Sequence, residues 1–533
     1  MLISPQSPPA PSDHCFDSGV IPWLYFLTIM ATAAGCLLLG SMRNVVLRFV
    51  HDDAFYYFGI ACNWSRGQGS TFDGINPTNG YHPLWQLLLI PMGSVVRELE
   101  TLVRVGAAAG TLFLALAGIL LCRTLRQRSV RFATLSLYWI ASSLGLATIY
   151  GLESPLAALV FAGLAACFAR EKSDLSAGRA VACGLLSGMF FLARIDSLPW
   201  LAALDLVVFL LWLRGGAQLR RRALHWLFTL IYIQAALIGL YLLYNLWTWH
   251  HLLPVSAMAK AGRTGFFSLK IPMSFLFLLS IPTAFLGLGL IGSFVTRLRQ
   301  GREDEQLIAE TLPAWVSLGS VLYLVGVLIH GGPETYNWYF TFVVFSGGII
   351  VPCFLERFGS LVPSISDRLL RRMAIIGCMA MLVVSARGKI FKPSRFVEGY
   401  DVARDLRRLK PGTLVFASGD CGIVGSVSHQ HCINLDGLTN SFEYQVALRD
   451  NRLAEWLREK GLNSVVISRA REPLGDTVTI GSHIGMYGIE RRVKLRVTPW
   501  PDADAGSSLE HTRIYRVTEI LDPTSSTGIV QIP

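Results

Sequence analysis

The chain is threaded by about eleven apolar stretches, at 21–41, 103–122, 132–149, 154–169, 180–193, 198–213, 225–247, 272–295, 311–330, 338–355 and 373–386. A helix crosses the hydrocarbon core of a bilayer with roughly 20 apolar residues, fewer where neighbouring helices cover its ends. This pattern therefore predicts a polytopic α-helical membrane protein. Composition agrees: 52% of the 533 residues are hydrophobic and 16% are charged, with mean hydropathy +0.46, against about a quarter charged in soluble domains. In such a chain the net charge of +11 reads as Lys and Arg in cytoplasmic loops, and no nucleic-acid partner is expected. The ten cysteines are scattered, mostly singly in apolar segments. Only Cys421 and Cys432 share a region that could be oxidised, and their spacing leaves a disulfide open.

An odd number of crossings puts the termini on opposite sides. The loops Arg123–Arg131, Arg170–Arg179, Arg214–Arg222, Arg297–Glu305 and Arg357–Arg372 share one side and are all Arg-rich, which makes that side, and the N-terminus, cytoplasmic. The N-terminal tail lacks the basic segment of a cleaved signal, so Ile21–Met42 reads as a retained first crossing. Arg43 and Arg48, on the outer side, run against this orientation. Pro83–Val96 is short for a crossing and reads as a juxtamembrane or re-entrant helix of the first outer loop, 43–102. After Lys392 short β-branched runs alternate with helical patterns, so residues 1–390 are read as the transmembrane domain and 391–533 as an outer, extracytoplasmic α/β domain. There, Val402–Leu409 and Ser441–Lys460 read as helices. Thr413–Ala417, Cys432–Leu435, Asn463–Ser468, Lys494–Thr498 and Thr512–Val517 read as strands.

The stretch with most chemistry is His51–Trp85, HDDAFYYFGIACNWSRGQGSTFDGINPTNGYHPLW. Asp52 and Asp53 could act as a general base and its orienter, or as ligands of a divalent cation; alternatively they cap a helix beginning at Ala54. The aromatic setting, with Phe55, Tyr56, Tyr57, Trp64 and Phe72, suits a sugar. The same orientation delivers Glu153, Arg194 and Asp196 to the outer ends of crossings, where ionisable groups are functional candidates; the competing reading is a structural salt bridge. His250, His251, Ser256, Lys260 and Arg263 form an outer cationic loop suited to a phosphate or to lipid headgroups. Glu334 is a further candidate, while Tyr336, Trp338 and Tyr339 fit an interfacial aromatic belt. No Walker A, HEXXH or CXXC motif is present, and no metal site is read from the histidines. Gly67-Gln68-Gly69 is too short for a dinucleotide fingerprint.

These blocks resemble the GT-C glycosyltransferases, which use polyprenyl-phosphate sugars. More narrowly, DDAFYYFGIACNWSRGQGSTFDG…TNGYHPLW, GLES, LARID, HLLPVSAMAK and NLDGLTNS are similar to blocks of bacterial arabinofuranosyltransferases of the mycobacterial cell-wall and type IV pilin kinds. The resemblance implies a GT-C fold of about eleven transmembrane helices in a bacterial inner membrane. It implies transfer, with inversion, of D-arabinofuranose from a polyprenyl-phosphate donor to a glycan or pilin-like protein acceptor. It makes Asp52 or Asp53 the base, with Asp52 marginally preferred, and Arg194, Lys260, His250 and His251 the phosphate-binding groups. Glu153, Asp196, Tyr56, Tyr57, Asp73, Asn79, His82, Trp85, Glu334 and Trp338 would line the substrate site. The alternatives are the same fold with another sugar or acceptor, such as aminoarabinose to lipid A or a hexose to a polysaccharide, and a lipid-linked-sugar flippase. A flippase would place its charges near the bilayer midplane rather than at helix ends.

Overall fold

The computed structural model describes residues 20–126, 151–168, 176–263, 275–300, 304–330, 337–358, 395–482, 490–500 and 509–521. Nine of the expected crossings are helices: Val20–Leu39, Leu99–Arg126, Ser154–Cys167, Ala177–Ala193, Leu198–Arg214, Ala217–Trp249, Phe275–Gln300, Thr311–His330 and Asn337–Phe358. The expected crossings at 132–149 and 373–386, and the 390/391 division, lie outside the described residues. Among the described residues six helices are long and apolar enough to cross a membrane, and Ser154–Cys167 and Ala177–Ala193 are shorter apolar helices. On Ala217–Trp249 the side chains of Tyr232 and Trp247 are 77% and 84% exposed, a surface suited to hydrocarbon rather than water. That helix packs on Ala177–Ala193 through Gly184 and Gly188, where a Cβ would lie 2.8 Å from Ile233 and 2.5 Å from Leu237. Small residues four apart let two helices approach this closely.

Between the first two long helices the chain forms Met42–Arg48, Asp52–Ser65 and Pro83–Val95. Pro83–Val95 has 13 residues, about 20 Å of helix, and packs on Asp52–Ser65. The expected cap is corrected here. Asp52–Ser65 begins at the acidic pair rather than at Ala54, and His51 is its N-cap, its Nδ1 accepting from Asp53 N at 3.3 Å. Neither carboxylate is spent on capping its own helix.

Among its described residues the C-terminal domain carries two sheets. Strands β1 (Val415–Ser418) and β2 (His431–Asn434) pair in parallel around helix Gly422–Val427, with Phe416 opposite Cys432. Strands β3 (Ser464–Ser468), β4 (Thr477–Gly481), β5 (Arg492–Pro499) and β6 (Thr512–Leu521) form an antiparallel sheet in the order β3-β6-β5-β4. In β5, Val493, Leu495 and Val497 are buried in alternation with exposed neighbours, as one-sided packing requires. The single helix expected over Ser441–Lys460 is instead two, Phe442–Arg449 and Leu453–Glu459. The break falls at Asn451, whose φ of 58° is left-handed, a conformation Asn tolerates better than most residues. Cys421 and Cys432 are buried free thiols.

The two halves share a core. Tyr56, Ile60 and Phe72 of the first loop are buried against Val402, Leu406, Phe416 and Cys432. Arg43, whose charge runs against the outer placement, makes a two-pronged bond to Asp401 at 3.0 and 3.1 Å, and Arg407 and Tyr400 both reach Glu100. Arg43 therefore ties the first loop to the C-terminal domain.

Candidate active site

Ionisable side chains from four segments converge at one end of the bundle. Arg194, at the C-terminus of Ala177–Ala193, is 2% exposed. Its guanidinium donates to Asp196 at 2.9 and 2.6 Å, to Glu153 Oε1 at 3.2 Å and to Ser154 Oγ at 2.9 Å. Tyr323 OH donates to Asp196 Oδ2 at 3.1 Å, and Tyr57 OH to Glu153 Oε2 at 2.9 Å. His82 Nε2 lies 3.9 Å from Glu153, and its Nδ1 accepts from Ile195 N at 3.3 Å; an Nδ1 that accepts leaves the proton of a neutral ring on Nε2. Burial holds the His82 pKa below its ordinary value, with Arg194 pressing the same way and Glu153 opposing. Burial and then Glu153 hold the Tyr57 phenol protonated. A buried charge is tolerated only when paired and hydrogen-bonded, and Arg194 satisfies this by engaging three side chains.

Tyr339 joins this cluster to a second cation. Arg194 lies 5.5 Å from the centroid of its ring and so does the Lys260 ammonium. Lys260 is exposed, and Asp53 and Arg194 both act on its charge, with opposite signs.

The acidic pair separates into two environments. Asp52 is 2% exposed and accepts from Gly422 N and Ile423 N, each at 2.8 Å. It therefore sits on the first turn of a C-terminal-domain helix. Burial pushes its pKa up to about 7, against the two backbone donors and helped by Asp53. Asp53 keeps a side chain 32% exposed, 3.7 Å from His51 Nδ1. Burial opposes the His51 imidazolium, but Asp53, with Asp52 and Asp420 behind it, raises the His51 pKa overall. Asp420 is itself exposed and held at φ 44°.

Neither a family model nor a curated protein sequence matches the chain. Solved structures do. ArnT from Cupriavidus metallidurans, bound to undecaprenyl phosphate, aligns over 84% of this chain and 93% of its own, with TM-score 0.52 and 15% identity. The oligosaccharyltransferase of Archaeoglobus fulgidus aligns over 86% of this chain and 70% of its own, with TM-score 0.50 and 12% identity. The fold is GT-C.

Within the GT-C frame the structure sorts the residues expected from sequence. Glu153, Arg194, Asp196, Tyr57, His82 and Lys260 are brought together, and the charge of Asp53 acts on Lys260. Others hold the frame. Asp73 accepts from Ile75 N, Asn76 N and Asn76 Nδ2 at 2.7–2.9 Å and builds the turn of the loop. Asn79 donates to Asn245 and accepts from Val255 N, clamping the loop to the Ala217–Trp249 helix and the next. Trp85 is buried and donates to Gly151 O at 3.1 Å. Tyr56 donates to Asp436 and accepts from Cys421 N and Asn434 Nδ2, bridging to the C-terminal domain.

His250 ends the Ala217–Trp249 helix in a left-handed turn at φ 58° and is exposed, while His251 stacks on Phe442 at 3.9 Å. Stacked so, His251 holds the cationic loop against the C-terminal domain. Glu334 lies outside the described residues, and Trp338 is in the first turn of Asn337–Phe358. Among the described residues no three His, Cys, Asp or Glu side chains are grouped to hold a metal ion. Sequence reasoning missed Tyr323, which sits inside an apolar crossing without a local signal, and read Tyr339 as a belt residue although it stands between two cations.

Proposed function

We propose that this chain is a glycosyltransferase that moves a sugar, with inversion, from a polyprenyl-phosphate donor to a hydroxyl on an outer-face glycan or protein, in a bacterial inner membrane. The reading rests on a partly exposed carboxylate paired with a histidine (Asp53, His51), whose charge acts on an exposed lysine (Lys260) that shares the Tyr339 ring with a fixed arginine (Arg194). The GT-C fold, shared with a protein solved with undecaprenyl phosphate, supports the donor class. The sequence blocks similar to arabinofuranosyltransferases support D-arabinofuranose as the sugar.

In this reading Asp53, not Asp52, is the base. Asp52 has both oxygens committed to backbone N–H groups. Asp53 removes the acceptor proton as the hydroxyl oxygen attacks the anomeric carbon from the face opposite the phosphate. The bond from that carbon to the phosphate oxygen breaks, and the polyprenyl phosphate departs with the electron pair. A phosphate leaving group needs its charge neutralised more than it needs a proton, and Lys260 supplies that neutralisation. Arg194 is spent on Asp196, Glu153 and Ser154, so it anchors the wall on which the donor rests. The outer placement of this end rests on the Arg-rich opposite loops.

The reading is tested by incubating purified protein with a panel of radiolabelled polyprenyl-phosphate sugars and an envelope-glycan acceptor. Transfer from the D-arabinofuranosyl donor, lost in Asp53→Asn, is expected. No transfer from any member of the panel would refute it.

A further inference from the structure

A second site lies at the other end of the Asp52–Ser65 helix. A cleft of about 420 Å³ opens between that end of the helix, the Gly-rich turn that follows it and the β1–β2 unit, within the size range of small-molecule sites. From Asp53 to Asn63 is ten residues, about 15 Å of helix rise, so this is not the region around Lys260. Arg66, His429 and His431 line it, together with Asn63, Gln68 and Ser426.

Three features make the cleft a built site. First, its imidazoles are held in place. His431 lies in β2 and its Nδ1 donates to Asp73 O at 2.7 Å, which leaves Nε2 as its other polar atom. His429 is held at φ 58°, a strained conformation for a non-glycine residue that clusters at functional sites. Between them Gln430 is buried and bonded to Leu414, Leu406 and Lys410, locking the backbone that carries both. Second, room is kept around His431: Gly412 and Gly74 have φ of 71° and 75°, and a Cβ on either would lie 3.3–3.4 Å from its ring. Third, Arg66 supplies a cation, while the lining carboxylate, Asp73, is turned onto Ile75 and Asn76. Arg66 is exposed, and burial, then Arg407 and Arg66, hold the His429 pKa below its ordinary value, opposed only by Glu98. Asn63 Nδ2 is spent on Thr71 O and Phe72 O, so its Oδ1 is left to accept from a hydroxyl.

We infer that this cleft binds an anionic saccharide, its phosphate or carboxylate on Arg66 and His429 and its hydroxyls on Asn63, Gln68 and the accepting Nε2 of His431. The ligand is either a remote part of the acceptor or a free sugar phosphate. Glucose 1-phosphate, methyl glucoside and inorganic phosphate are titrated calorimetrically into the full chain in nanodiscs. Saturable binding of glucose 1-phosphate is expected, weakened at least tenfold in Arg66→Gln and in His429→Asn and unchanged in Lys260→Ala. Asparagine suits the left-handed backbone, so His429→Asn should melt with the wild type and separate binding from folding. A raised acceptor KM at unchanged kcat in both variants identifies the ligand as acceptor; an unchanged KM identifies the free sugar phosphate. The inference is overturned if wild type shows no saturable binding, if both variants bind as wild type does, or if Lys260→Ala abolishes binding while Arg66→Gln does not. Because binding is read without turnover, a failed transfer assay leaves it standing.

Discussion

The carboxylate of Asp52 faces two backbone N–H groups at 2.8 Å, while that of Asp53, one residue on, lies 3.7 Å from His51 Nδ1 and is about a third exposed. Alternation of exposure over one helical step follows from the 100° turn per residue, so the pair divides into a buried acid bonded to backbone and a partly exposed one, the proposed base. Asp52 titrates in the folded chain at about 7 against an ordinary 3.8. The native state thus keeps the proton to higher pH than the unfolded chain, and this group's contribution to stability is greatest below pH 3.8 and lost as pH rises towards 7. The melting temperature of the wild type, relative to that of Asp52→Asn, should accordingly fall between pH 4 and 7; a constant difference across that range would contradict the burial of an ionisable Asp52. Arg194→Ala should destabilise the fold by about 3–5 kcal/mol, because it strands Glu153 and Asp196, whereas Lys260→Ala should leave the melting temperature within about 1 °C and raise the donor KM. The residue types at the site were legible as charges where an apolar chain has no need of them. Which of two adjacent acids stays open was not, because it depends on Gly422 and Ile423, some 370 positions away.

Helices and turns carry these residues at fixed distances, and a few glycines set those distances. A Cβ on Gly80 would lie 1.9 Å from Leu438 O, and one on Gly422 would lie 2.2 Å from Asp52 O; both contacts are with backbone and neither can yield cheaply. Gly80→Ala and Gly422→Ala should each cost roughly 1–3 kcal/mol and increase tryptic cleavage between the first loop and the C-terminal domain. Equal cleavage rates would show that this contact does not set the docking. Gly319→Ala meets the Trp200 ring, 2.3 Å away, and should lower the melting temperature without changing that cleavage pattern. Long apolar runs made the helices legible, since their length and hydropathy are local properties. Strand β4 was missed because its five residues, TVTIG, are only partly buried, and helix Gly422–Val427 because six residues give no period to read. The break at Asn451 depends on a backbone angle that the apolar pattern of Ser441–Lys460 does not register.

At the scale of the whole chain the structure joins a GT-C bundle to a C-terminal domain through an interface in which the buried Asp52 and Tyr56 and the exposed Arg43 each reach across. The fold class was legible because hydropathy alone limits what such a chain can be. The docking was not, since it is written in polar residues that look like ordinary loop composition. Docking makes one testable demand on the account: the reacting acid must be separable from the acid that holds the halves together. The measurement is the rate of sugar transfer from the polyprenyl-phosphate donor by Asp53→Asn in a preparation whose melting temperature matches the wild type. Removing a general base costs on the order of 10²–10⁴ in rate, and that loss, without a loss of fold, is what the account predicts. Full transfer by the folded Asp53→Asn protein would contradict it.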